Sequence, residues 1–333
     1  MNSALERLDA IPRLKLGNYP TPFEPMPRLR ATLGGGPPLW IKRDDYSGPG
    51  FGGNKTRKLD YILAAALEEG AEIVVTTGGE TSNHARVTAA VAAKLGLRCI
   101  LVLNRNAQPG IRPASLYLDE LYGAEIVRVN SRRERATALH NIAEELRREG
   151  RRVAEIPLGA STPLGAIGYA RAVEELRQQC DQAGVRPHWI FHSTSSGGTQ
   201  AGLAVGLRLY GLDQVRLVGV SADEPAASLA AVVGEIVAGV ERILGVPPAA
   251  LARPTRIEDG FVGGGYGVPT PEAEDALSIL ARTEGIVLDP TYTAKAMAAM
   301  LASIRSGQVG GDEPAVFWHT GGQMALFAAH PPR

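Results

Sequence analysis

The sequence predicts an α/β protein built on open, mostly parallel, twisted sheets flanked by helices. Two observations predict it. Short runs rich in Val, Ile and Leu alternate with helix-periodic segments of roughly ten to fifteen residues across short loops, the mark of crossover units. The segments richest in Gly, Ser and Thr lie between a strand and the next helix, where open α/β sheets place their ligands.

Taken in order, the opening is proline-rich ("YPTPFEPMPRL") and then glycine-rich ("LGGGPPLW"), which predicts an irregular entry. "LWIKRDD" reads as a short strand ending in charge. "DYILAAALEEGA" reads as a helix, "EIVVTTGG" as a strand, "NHARVTAAVAAKLGL" as a helix and "RCILVLN" as a strand. Helix "PASLYLDELYGA", strand "EIVRV" and helix "RERATALHNIAEELRREG" follow. Small residues in "STPLGAIGYA" predict a loop between lobes, and the helical "TQAGLAVGLRLYG" separates strands "HWIFHSTS" and "VRLVGVSA".

The 333 residues carry 35 basic and 35 acidic side chains, a balance that argues against nucleic acid or an anionic membrane as the main partner. Cys99 and Cys180 stand far apart, fitting small buried roles in a reducing compartment better than a disulfide. His188 and His192 sit on a strand pattern and read as local packing, so no metal is expected. "MNSALERLDA" has no apolar signal core and no stretch reaches membrane-span length; the expectation is a soluble, cytoplasmic protein.

Four loops carry the chemistry: "GGNKTRK" (52–58), "TTGGETSNHAR" (76–86), "STSSGGTQAG" (193–202) and "HTGGQMA" (319–325). In the third, Ser195, Ser196, Gly197, Gly198 and Thr199 open a helix with converging N–H and hydroxyl donors, a cradle for one phosphate. A plain capped turn is the alternative. The loop matches neither a Walker A motif nor G-x-G-x-x-G, which disfavours nucleoside triphosphates and dinucleotides. Lys55 stands at a helix amino end with Thr56, Arg57 and Lys58 following, a setting expected to depress its pKa and make it a nucleophile toward carbonyls. One phosphate with one activated lysine points to pyridoxal phosphate. Ser82, Asn83 and His84 open a second helix able to bind a carboxylate or to cap itself. Tyr266 follows three glycines and Tyr292 follows Pro290; each is an active-site phenol or a core tyrosine.

Together "KRDD", "GGNKTRKL", "SNH", "GGTQAGL", "YGVP", "LDPTYTAKAM" and "HTGG", in this order, resemble the D-cysteine desulfhydrase and 1-aminocyclopropane-1-carboxylate (ACC) deaminase family of fold-type-II pyridoxal-phosphate enzymes. The resemblance implies a larger cofactor domain (1–56 with 169–333), a smaller α/β domain (57–168) and a homodimer. It implies Lys55 as the Schiff-base lysine and proton carrier, Asn83 on the cofactor's phenolic oxygen, and 195–199 on its phosphate. Ser82 with the 82–84 backbone is implied at the substrate carboxylate, Tyr292 beside the cofactor ring, and Tyr266 as a second phenol. Two departures matter. Thr293 stands where ACC deaminases have a glutamate facing the pyridine nitrogen, so a hydroxyl of Thr293 or Thr320 is expected there, which favours loss of a good leaving group over ring opening. Thr81 stands where the family usually has glutamine, bordering the carboxylate site. The expected activity is β-elimination from a small amino acid such as D-cysteine. L-cysteate sulfo-lyase, ACC deaminase, a β-replacement synthase and a non-catalytic binding protein are the alternatives.

Overall fold

The structure, a computed structural model, describes residues 2–105, 112–254 and 256–329. Its helices are α1 (Asn2–Ala10), α2 (Pro27–Thr32), α3 (Lys55–Glu68), α4 (Asn83–Leu95), α5 (Ala114–Leu121), α6 (Arg135–Arg148), α7 (Pro163–Ala183), α8 (Gly198–Leu209), α9 (Ala226–Ile243), α10 (Pro271–Glu284), α11 (Thr293–Arg305) and α12 (Met324–Ala329). Its strands are β1 (Phe23–Pro25), β2 (Leu39–Arg43), β3 (Ile73–Gly79), β4 (Arg98–Asn104), β5 (Glu125–Val129), β6 (Val153–Ile156), β7 (Trp189–Thr194), β8 (Arg216–Ser221), β9 (Arg256–Glu258) and β10 (Ala315–His319).

The strands form two sheets, ordered β1-β2-β10-β7-β8-β9 and β5-β4-β3-β6. Every pairing is parallel except β1 with β2 at one edge of the larger sheet. Proline-rich β1 sits where a missing N–H costs no ladder bond. All seven residues of β3 and all six of β7 are buried, as expected of parallel strands with helices on both faces. Ile41, Phe191, Phe317 and Val218 anchor one core against α10 and α11. Each such side chain contributes about 1.5–3 kcal/mol of burial. Among the described residues no helix is long and apolar enough to cross a membrane.

The loop expected over Ser161–Gly168 is instead the start of α7. Thr162 caps it by accepting from the Gly165 N–H, and Pro163 occupies its first turn. The small residues serve helix packing: a Cβ on Gly168 would lie 2.0 Å from the carbonyl oxygen of Arg57. The expected domain boundaries at 56/57 and 168/169 consequently fall inside α3 and α7, although the four-stranded sheet lies wholly between residues 73 and 156.

Candidate active site

The carboxyl ends of β3, β7 and β10 open on a cleft of about 860 Å³, mouth and adjoining solvent included. Lys55, Ser82, Asn83, His84, Ser195, Ser196, Gly197, Thr199, Tyr266, Tyr292 and Thr320 all line it. Thr81, Gly198 and Thr293 are not part of its wall.

Lys55 is the first residue of α3 and donates to Asn54 Oδ1 at 3.0 Å. Its place depends on a close crossing of two chains. The Asn54 N–H donates to the Thr320 carbonyl at 3.0 Å, and a Cβ on Gly321 would lie 2.6 Å from the Gly53 Cα. Only glycine at these two points lets the chain entering α3 lie against the end of β10. Burial lowers the Lys55 ammonium to about 8. The expected help from Arg57 is not found. Its guanidinium is turned away and neutralised by Asp44 (2.8 and 2.9 Å) and Glu175 (2.9 and 3.0 Å).

At the cradle, Gly197 caps α8 in the left-handed region, with φ 78°. Thr199 Oγ1 accepts from Asn54 Nδ2 at 2.9 Å, so Asn54 links the cradle to Lys55. Behind it, Ser161 Oγ meets Ser196 Oγ at 2.7 Å and accepts from the Gly198 N–H at 3.3 Å. Lys58, one helical turn after Lys55, is buried and donates to Ser161 Oγ and the Gly159 carbonyl, each at 3.1 Å. Burial and the neighbouring Lys55 push its ammonium well below the usual lysine range. Gly198 thus belongs to the back of the cradle, toward Lys58, rather than to its wall.

Ser82 caps α4 by accepting from the Ala85 N–H at 3.2 Å, and Ser82, Asn83 and His84 all line the cleft. His84 Nε2 lies 2.7 Å from Thr76 Oγ1, which itself donates to the Ile156 carbonyl. Nε2 therefore carries the proton, and burial holds the ring neutral by pushing its pKa well below the ordinary value.

Tyr266 and Tyr292 meet hydroxyl to hydroxyl at 2.5 Å. Tyr292 is placed by buried Asp289, whose carboxylate accepts from the backbone N–H groups of residues 291, 292 and 293 at 2.8–2.9 Å. The Thr293 hydroxyl donates to the same carboxylate at 2.7 Å and accepts from the Asp289 N–H. That corrects the expectation that Thr293 faces the ligand: it is spent locking the start of α11. Thr320 Oγ1 does line the cleft, 2.8 Å from Ser193 Oγ. At the mouth, Arg132 pairs with Asp223 at 2.9 Å and lies 5.2 Å from the Tyr266 ring centre.

Asn54, Lys58, Ser161, Arg132, Asp223 and Asp289 are the residues that sequence reasoning did not place. Two signals were present: Lys58 shares a helix face with Lys55, and Asp289 stands four residues before Thr293 in a capping pattern. The donor set fits pyridoxal phosphate. It joins the hydroxyls and amides of residues 195–199 to a partly neutral amine, and Thr194 Oγ1 on the same wall is buried without a partner among the described residues.

Comparison with known proteins agrees. The family described as pyridoxal-phosphate dependent enzyme matches residues 14–321. A D-cysteine desulfhydrase of Salmonella paratyphi B is 38% identical over 331 residues, covering 98% of this chain and 99% of that one. A crystal structure of an ACC deaminase homologue superposes with a TM-score of 0.89 at 35% identity, covering 98% and 96% of the two chains. A fungal L-serine ammonia-lyase from Rhizomucor miehei, with a TM-score of 0.68 and 19% identity over 92% of this chain and 95% of that one, shares the fold. The chain belongs to the pyridoxal-phosphate dependent enzymes.

Proposed function

We propose that this protein is a lyase that converts D-cysteine and water to pyruvate, ammonia and hydrogen sulfide by β-elimination. The observation that carries the reading is the chain Lys55–Asn54–Thr199, which sets a partly neutral amine two hydrogen bonds from a phosphate-type cradle in one cleft. Full-length similarity to D-cysteine desulfhydrases supports the substrate. Bound pyridoxal phosphate supplies the electron sink that lets an amino acid lose its α-proton.

The chain's own residues do the rest. Lys55 Nζ would anchor the cofactor and serve as the base for the α-proton, the cradle from Ser195 to Thr199 would hold its phosphate with Lys58 behind, and Asn83 would donate to its phenolic oxygen. Ser82 and the amides opening α4 bind the substrate carboxylate. Tyr266 and Tyr292 stay protonated because burial raises both, so they can hand a proton to a departing thiolate. The Ser193–Thr320 hydroxyl pair would face the pyridine nitrogen. A hydroxyl there holds less positive charge on the ring than a carboxylate would, which suits a good leaving group. We also read the four-stranded sheet with its helices, within 57–168, as the smaller domain, and the working unit as a homodimer, the commonest closed arrangement.

Purified protein loaded with cofactor and offered D-cysteine, L-cysteine, L-cysteate and ACC decides the substrate. Pyruvate and sulfide from D-cysteine, without 2-oxobutanoate from ACC, is the expected result. Turnover of ACC or L-cysteate in preference to D-cysteine would overturn the assignment, and light scattering tests the dimer.

A further inference from the structure

The segment that supplies Asn83 carries a second polar side chain that the mechanism above does not use. Arg86 lies one turn further along α4, on the same face as Asn83, and is fully buried. Three elements hold it. Nε donates to the Gly50 carbonyl at 2.8 Å, in the loop just before Lys55, and Nη1 donates to Ser115 Oγ on α5 at 3.2 Å. Nη1 also donates to Asn83 Oδ1 at 2.6 Å.

A carboxamide has two ends of nearly the same shape, and only its partners decide which end faces where. A guanidinium has donors and no acceptor, so the end of Asn83 that meets it must be the oxygen. Turning the amide over would press its NH2 against a buried cation and leave donors on both sides unpaired, a costly arrangement away from water. The amide nitrogen is thereby held on the opposite side, beside Gly322, where a Cβ would lie 3.1 Å from it.

Asp119, on α5, does not compete. It is buried, and burial pushes its carboxyl up to about 8, so at neutral pH it is mostly protonated; among the described residues neither of its oxygens nor Arg86 Nη2 has a hydrogen-bond partner. Nη1 therefore stays on Asn83. A cation on the carbonyl end also polarises the amide, which strengthens its N–H donors.

We propose that Arg86 is a positioning residue that fixes the Asn83 carboxamide with its NH2 toward the cofactor's phenolic oxygen, making Asn83 a donor there and never an acceptor. This rests on the assignment of Asn83 to that oxygen in the proposed function. Without Arg86, the amide is free to present its carbonyl, which favours a proton on the phenolic oxygen.

The test uses the loaded enzyme and its visible absorbance as a function of pH, with thermal unfolding of each variant alongside. Asn83→Ala is expected to raise the midpoint of the cofactor's titration by about one pH unit, a tenfold change in proton affinity. Arg86→Gln should reproduce that shift with Asn83 still present, while Arg86→Lys, which keeps a donor-only cation, should stay closer to the parent. A parent-like titration in Arg86→Gln beside a shifted Asn83→Ala overturns the positioning role and leaves the Asn83 assignment standing. No shift in Asn83→Ala overturns that assignment and the proposal with it. Should Arg86→Gln not fold, Asn83→Asp answers through stability. It keeps an acceptor for Arg86 and should melt above Asn83→Ala, whereas an equal or lower melting temperature overturns the contact.

Discussion

The hydroxyls of Tyr266 and Tyr292 stand 2.5 Å apart, with their rings edge to face at 76°. Burial raises both phenols, and either hydroxyl can be the donor in the hydrogen bond between them. Such a pair can pass a single proton. Each of Tyr266→Phe and Tyr292→Phe is expected to lower kcat by about 10²–10⁴, the range for a positioned general acid. The double variant should lose no more than the worse single, because the two act as a unit. Additive losses in steady-state assays of pyruvate release would contradict the shared-proton reading.

Arg132 lies just before α6, against the small sheet, and Asp223 just after β8 of the large one, so their ion pair spans the mouth of the cleft. Arg132 is half exposed while Asp223 is buried, so solvent screens one end of the pair, which is expected to contribute about 1 kcal/mol. Arg132→Gln should therefore raise KM by roughly two- to fivefold with a smaller effect on kcat. A loss confined to kcat, with KM unchanged, would place Arg132 in the chemistry instead.

Asp44 shows what the charged "KRDD" stretch is for. Fully buried, it accepts from Arg57, Thr21, Tyr169 and Trp318 at 2.7–2.9 Å. Burial alone would raise its carboxyl, but the Arg57 guanidinium outweighs that and holds it well below the usual carboxylate range. A carboxyl lower in the folded than in the unfolded chain stabilises above the unfolded value of about 4, and that stability is lost as acid protonates it. Asp44→Ala leaves Arg57 buried and half-paired and should cost about 3–5 kcal/mol in denaturant unfolding at pH 7, with a smaller deficit in acid. An unchanged midpoint would show that the network is dispensable.

These residues also mark what a single sequence reveals. The crossover pattern, the capping of α4 by Ser82 and the glycine turn that opens α8 were legible because each depends on neighbours within a few residues. Arg57 was misjudged because its partners, Asp44 and Glu175, come from positions 13 and 118 residues away in the chain. Residues 161–168 read as a loop because Gly165 and Gly168 weaken a helix locally, while close contact with α3 offsets that cost in the fold. Thr293 looked available until Asp289, four residues earlier, claimed its hydroxyl.

The Lys55 ammonium, lowered by burial to about 8, gives a pH test of its own. At pH 7 about one such amine in ten is neutral, against fewer than about one in a thousand for an ordinary lysine. Reconstitution of the cofactor-free protein should speed up as pH rises and level off above about 8. A rate still climbing steeply at pH 10 would mean that Lys55 titrates as an exposed lysine.

The central claim is that Lys55 carries the cofactor, and its most direct measurement is borohydride reduction of the loaded enzyme followed by peptide mass spectrometry. The account predicts a single pyridoxyl adduct, on Lys55. An adduct on Lys58 or any other lysine, or none in protein that retains the cofactor's visible absorbance, would contradict it.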